Sequence, residues 1–80
     1  MEKKLTELIT KHYTTATVYS INLEDGVVYI YASVIGKTKP FIARRILNAY
    51  PEIRRVEFVG FVNHIFTRNT LSWLGYNTKK

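Results

Sequence analysis

Apolar and polar residues alternate along this chain with periods that change from one stretch to the next, and each period predicts its own element. Near the start, Leu5, Leu8, Ile9 and His12 recur three and four residues apart. That spacing makes one stripe of a helix over residues 3–13, with Glu2, Lys3, Lys4, Glu7 and Lys11 mostly off it. Glu7 precedes Lys11 by four residues, the favourable order for an exposed helical pair.

From Thr15 the period shortens to two. Thr15 to Leu23 is rich in β-branched and aromatic residues and predicts a strand, with Tyr19, Ile21 and Leu23 on one face and Val18, Ser20 and Asn22 on the other. Glu24-Asp25-Gly26 follows. An Asp-Gly pair supplies the positive φ of a tight hairpin, so the next strand, Val27 to Ile35, pairs back antiparallel. Its Val28, Ile30, Ala32 and Val34 form an aliphatic face on which helices sit close; Val27, Tyr29, Tyr31, Ser33 and Ile35 form the opposite face, either open or covered by another segment.

Gly36 ends that strand. Thr38 is placed to cap a second helix, with Pro40 in its first turn. Ile42, Ala43, Ile46, Leu47 and Tyr50 form its buried stripe, while Arg44, Arg45 and Asn48 point away, and Pro51 stops it. A third strand follows, in which Val56, Phe58 and Val62 alternate with Glu57, Val59 and Phe61 and which could run on past Gly60 to Thr67. Leu71, Trp73, Leu74 and Tyr76 form a last apolar cluster that fits one helical turn or a short strand and has the tyrosine face as its nearest cover. The reading is an α+β fold, helix-strand-strand-helix-strand with a tail over residues 63–80, built as a small mixed sheet with two helices on one face.

Composition narrows the class. Eighty residues make one domain, short enough that a partner subunit is a common source of stability. With no cysteine, disulfides and thiolate metal sites are excluded. The longest apolar runs fall short of a membrane span, and the N-terminus lacks the apolar core of a signal peptide, so the expectation is a soluble, cytoplasmic protein. Twelve Lys and Arg oppose six Asp and Glu, a net charge of +6, which attracts nucleic acid, acidic proteins or anionic surfaces.

Chemistry-bearing motifs are weak. Gly36-Lys37-Thr38 resembles the end of a phosphate-binding loop, but Tyr31 stands where that motif needs its first glycine. Glu24 and Asp25 are turn residues, not a pair converging across a cleft. His12 and His64 lack metal-site spacing, and Ser20, Ser33 and Ser72 lack the setting of a nucleophile elbow. No catalytic, metal or cofactor residue is therefore nominated. The basic residues are more informative. Lys37, Lys39, Arg44, Arg45, Arg54 and Arg55 fall close together with only Glu52 among them, and could form one phosphate-binding patch. Tyr19, Tyr29, Tyr31, Phe61, Phe66 and Trp73 are candidates for base stacking, a second core layer or a homodimer interface.

Three stretches also carry a family resemblance: Leu23-Glu24-Asp25-Gly26-Val27-Val28-Tyr29-Ile30 with Val34, Ile42-Ala43-Arg44-Arg45-Ile46-Leu47, and Pro51-Glu52-Ile53-Arg54-Arg55-Val56. Over about residues 3–63 the pattern resembles the BON domain, with its Asp-Gly-Val-Val hairpin, Ala-rich helix and final strand after a proline. Ala32 and Glu52 stand where that family usually has glycine. The resemblance implies a non-enzymatic module that binds membranes, ligands or proteins, and supplies no catalytic residues. Two functions follow as expectations. One is nucleic-acid binding, to RNA or single strands, through the Lys/Arg surface. The other is a BON-like or phage-type adaptor that oligomerises or docks an acidic protein.

Overall fold

Asp25 and Gly26 both take positive φ, 52° and 77°, as a hairpin turn between right-twisted strands requires. In the computed structural model, which describes residues 1–76, this turn joins β1 (Thr17–Glu24) to β2 (Val27–Ser33) in an antiparallel pair. Residues 77–80, the end of the predicted tail, lie outside the described residues. The remaining elements are α1 (Glu2–His12), α2 (Lys39–Ala49), β3 (Arg55–Phe58), β4 (His64–Thr67) and α3 (Arg68–Trp73).

The sheet has the order β1-β2-β3-β4, with β2 and β3 parallel and the outer pairs antiparallel. A parallel pair needs a crossover, and α2 supplies it. The fold is α+β with a small mixed sheet, as the periodicity predicts. The aliphatic face of β2 meets the helices: Val28 and Ile30 pack with Val56 and Phe58 of β3, Leu5 and Ile9 of α1, and Ile42, Ala43, Ile46 and Leu47 of α2. Each such side chain contributes about 1.5–3 kcal/mol when fully buried.

Four local expectations need correction. First, β1 carries a bulge: Val18 pairs with Ala32 and Ser20 with Tyr31, so Tyr19 is the extra residue. The bulge changes the alternation, so that Val18 and Ile21 both reach the core side instead of opposite faces. Tyr19 is set on the outer side, its ring 5.1 Å from that of Tyr31.

Second, the third strand stops at Phe58. Gly60 to Asn63 form a bend stabilised by the Gly60 N–H donating to Asn63 Oδ1 (3.2 Å), and the chain returns as a separate antiparallel strand, β4. Phe61 therefore sits fully exposed on a loop and not on the tyrosine face. Phe66 pairs with Val56 and points into the core, edge-on to Phe58 at 5.9 Å.

Third, Thr38 stands at the N-cap of α2 with Pro40 in the first turn, but it makes no side-chain cap: a 3-10 turn over Gly36–Thr38 leads into the helix and puts Thr38 in helical geometry. Fourth, the tail as far as Tyr76 does not cover the tyrosine face. Thr67 and Thr70 form a capping box that starts α3, and Leu71 is buried in the core shared with α2. Tyr76 stacks edge-on against Phe41 of α2 at 5.0 Å. The outer sheet face stays open among the described residues.

Candidate anion-binding face

Arg44 and Arg45 follow one another on α2, about 100° apart on the helix, next to the buried Ile42, Ala43, Ile46 and Leu47. That phase turns the two guanidiniums outward beside α1. Each lies on an aromatic ring: Arg44 is 5.8 Å from the centre of Phe41 and Arg45 is 5.9 Å from the centre of Tyr13. Between the helices runs a groove of about 350 Å3, lined by Leu8 and His12 of α1 and by Arg44, Arg45, Asn48 and Ala49 of α2. Among the described residues no carboxylate lines it. Among the described residues the single ion pair is Arg55–Glu57, so neither groove arginine is neutralised by an acid within bonding distance.

The groove acts on its histidine. Loss of water comes first, then the positive charges of Arg45 and Lys11, and together they hold the His12 pKa below its ordinary 6.5. These effects favour the uncharged form of the ring. Asn48 contributes a buried side-chain oxygen with no hydrogen-bond partner. Buried polar atoms are almost always partnered, so this orphan acceptor leaves the groove-lining Asn48 with hydrogen-bonding capacity that its present rotamer does not use.

The other predicted cations do not join this face as one patch. Lys37 and Lys39 lie at the start of α2, where the Lys39 ammonium donates to His64 Nδ1 at 3.2 Å and sits 5.8 Å from the Phe58 ring centre. Arg54 folds onto the hairpin, donating from Nε to the Asp25 carbonyl at 3.2 Å. Arg55 lies on the outer sheet face, opposite Val27 and two residues from Glu57, which it meets at 3.1 Å. Glu57 is only 8 % exposed despite the open face, because Tyr29 and Ile65 flank it in register and Arg55 neutralises it.

The aromatic candidates divide in the same way. Tyr19 (59 % exposed) and Tyr31 (51 %) form a pair on the outer face, with Tyr29 partly buried beside them and Ile65 exposed on β4. Phe61 is on its loop, Phe66 in the core and Trp73 exposed on α3. The tyrosines and the groove arginines thus occupy opposite sides of the sheet. Glu24 and Asp25 occupy the hairpin end, and no group of three or more His, Asp or Glu side chains gathers to hold a metal among the described residues. No helix among them is long and apolar enough to cross a membrane.

Sequence reasoning passed over Arg68. Its guanidinium donates to the Ile53 carbonyl and to the Leu47 carbonyl, both at 2.7 Å. Those contacts tie α3 to the C-terminal end of α2, so this arginine is part of the fold and not of the basic surface. Neither protein-family models, nor curated proteins, nor solved structures give a match to this chain.

Proposed function

We propose that this protein is a small non-enzymatic module that binds nucleic acid through its phosphates, on the face formed by α1 and α2. The observation that carries the reading is the pair Arg44 and Arg45, which line the α2 wall of a groove without a carboxylate and are left without an acidic partner among the described residues. Guanidiniums in that state are ready donors for phosphate oxygens. Lys11 adds charge from α1. Phosphate contacts of this type position a ligand without reading its bases.

About three such contacts predict a salt slope near −2.1 for a single strand, so raising salt from about 50 to about 200 mM weakens binding roughly 20-fold. Arg44→Glu with Arg45→Glu lowers the affinity strongly and removes about two-thirds of that slope. Fluorescence anisotropy with labelled RNA, single-stranded DNA and duplex DNA measures both. Affinity unaffected by the double variant and by salt refutes the reading. Salt-dependent binding to an acidic protein that RNA does not displace favours the adaptor instead.

One observation supports that second reading, a BON-like or phage-type adaptor that self-associates. Tyr19, Tyr31 and Ile65 are each at least half exposed on a sheet face that nothing covers among the described residues. A homodimer joined through this face would leave both arginine grooves free.

A further inference from the structure

The groove offers more than surface charge. Two cationic side chains from one helix and an imidazole from another converge on a single concave space, with Leu8 and Ala49 as apolar walls. A phosphodiester within a polymer carries one charge and presents two free oxygens. A phosphate monoester carries nearly two charges near neutral pH and presents three acceptor oxygens. Only the monoester has an oxygen for each of Arg44, Arg45 and His12. The orphan Asn48 oxygen is an acceptor, so it does not bind phosphate oxygens; with its side chain turned toward the groove it suits a hydroxyl on the group that carries the phosphate. A volume of about 350 Å3 lies at the lower end of the range for small-molecule sites.

We infer that the α1–α2 groove is a pocket for a phosphate monoester on a hydroxyl-bearing sugar: a free nucleoside monophosphate or the phosphorylated end of a strand. The inference rests on the reading of this face as phosphate-binding. Arg44 and Arg45 clamp the phosphate. His12 donates once protonated, and the bound dianion raises its pKa against the opposing charges of Lys11, Arg44 and Arg45. Asn48 accepts from the sugar.

The test compares two single strands of the same sequence, one with a 5′-phosphate and one with a 5′-hydroxyl, by fluorescence anisotropy. A nucleoside 5′-monophosphate and inorganic phosphate serve as competitors. The phosphorylated strand binds at least about tenfold tighter, each of Arg44→Ala and Arg45→Ala removes that difference, and Lys3→Ala, an equal loss of charge on the opposite side of α1, preserves it. Asn48→Ala weakens the nucleoside monophosphate and leaves inorganic phosphate unchanged. In proton NMR the His12 ring titrates at higher pH when inorganic phosphate is present.

Equal, steeply salt-dependent binding of both strands overturns the pocket and leaves the polyanion reading standing. Binding of the monophosphate without measurable binding of either strand upholds the pocket for a free nucleotide and overturns the nucleic-acid reading. A His12 titration unmoved by phosphate, with none of the probes bound, overturns both.

Discussion

Replacing Arg68 by methionine removes the guanidinium while keeping much of the side-chain volume. The structure allows its effect to be sized. Arg68 donates two hydrogen bonds of 2.7 Å, to the carbonyls of Leu47 and Ile53, and longer ones to Tyr50 (3.4 Å) and Pro51 (3.5 Å). The last carbonyls of a helix have no partner within it, and here the Tyr50 N–H serves Ile46 while Arg68 serves Leu47. Hydrogen bonds from a charged donor contribute about 1.5–3 kcal/mol each, and a buried acceptor left bare adds its own penalty. Because the side chain is only partly buried, the lower end applies, giving a loss of about 3 kcal/mol for the two short bonds.

At roughly 0.05–0.15 kcal/mol per residue, the whole chain has about 4–12 kcal/mol of stability, so this single change removes a large share. With a urea m-value of about 1 kcal/mol/M, the midpoint falls by about 3 M at constant m. Arg68→Lys keeps the charge but loses the planar fork, and falls between wild type and the methionine variant. A midpoint for Arg68→Met within about 0.5 M of wild type would show that water or another group serves those carbonyls as well, and would refute the argument.

Gly26→Ala places a Cβ 3.2 Å from the Glu52 carbonyl oxygen at a φ of +77°, and is expected to lower stability by about 1–2 kcal/mol, read from thermal unfolding. His12 has a lowered folded pKa, so below its unfolded value of 6.5 the unfolded chain binds the proton more readily; its contribution is complete above that pH and declines on acidification. His12→Asn abolishes that component, seen as a smaller difference between urea midpoints at about pH 7.5 and about pH 5.5. Tyr31→Glu dissociates a dimer formed through the sheet face, and light scattering at micromolar concentration separates this from a chain that is already a 9.3 kDa monomer.

The Asp25-Gly26 turn and the aliphatic face of β2 were legible because each depends on residues adjacent in sequence or two apart. The β1 bulge was not, since its advantage lies in bringing Val18 opposite Ala32 and Ile21 opposite Ile30, contacts made only with the partner strand. Apolar residues on both sides of Gly60 disguised the reversal there: Phe61 and Val62 read as strand although they are loop residues. Arg68 carried no local signal, because its acceptors are 15 and 21 residues away. The basic run was legible only in part. Arg44 and Arg45 stay together because one helix carries both, while Arg54 and Arg55 lie beyond the end of α2, where the chain turns to the hairpin and the outer sheet face.

This division also bears on how a dimer would bind. If charge and aromatic rings shared a face, two subunits joined through the tyrosines would bury part of their own basic surface. Here the sheet separates them, so sheet-to-sheet association leaves both grooves pointing outward in opposite directions. The protein extends 24 Å in its shorter dimensions, so the two grooves of such a pair stand up to about 50 Å apart across two subunits, and a ligand gains avidity only if it can span that separation. Short strands then bind each subunit independently, and Tyr31→Glu leaves their affinity unchanged. Strands long enough to wrap from one groove to the other bind more tightly to wild type than to Tyr31→Glu, by a margin that grows once the span is reached. A length series on the two proteins at fixed salt tests this, and a margin that is already full for the shortest strands would place the grooves side by side and rule out association through the sheet face.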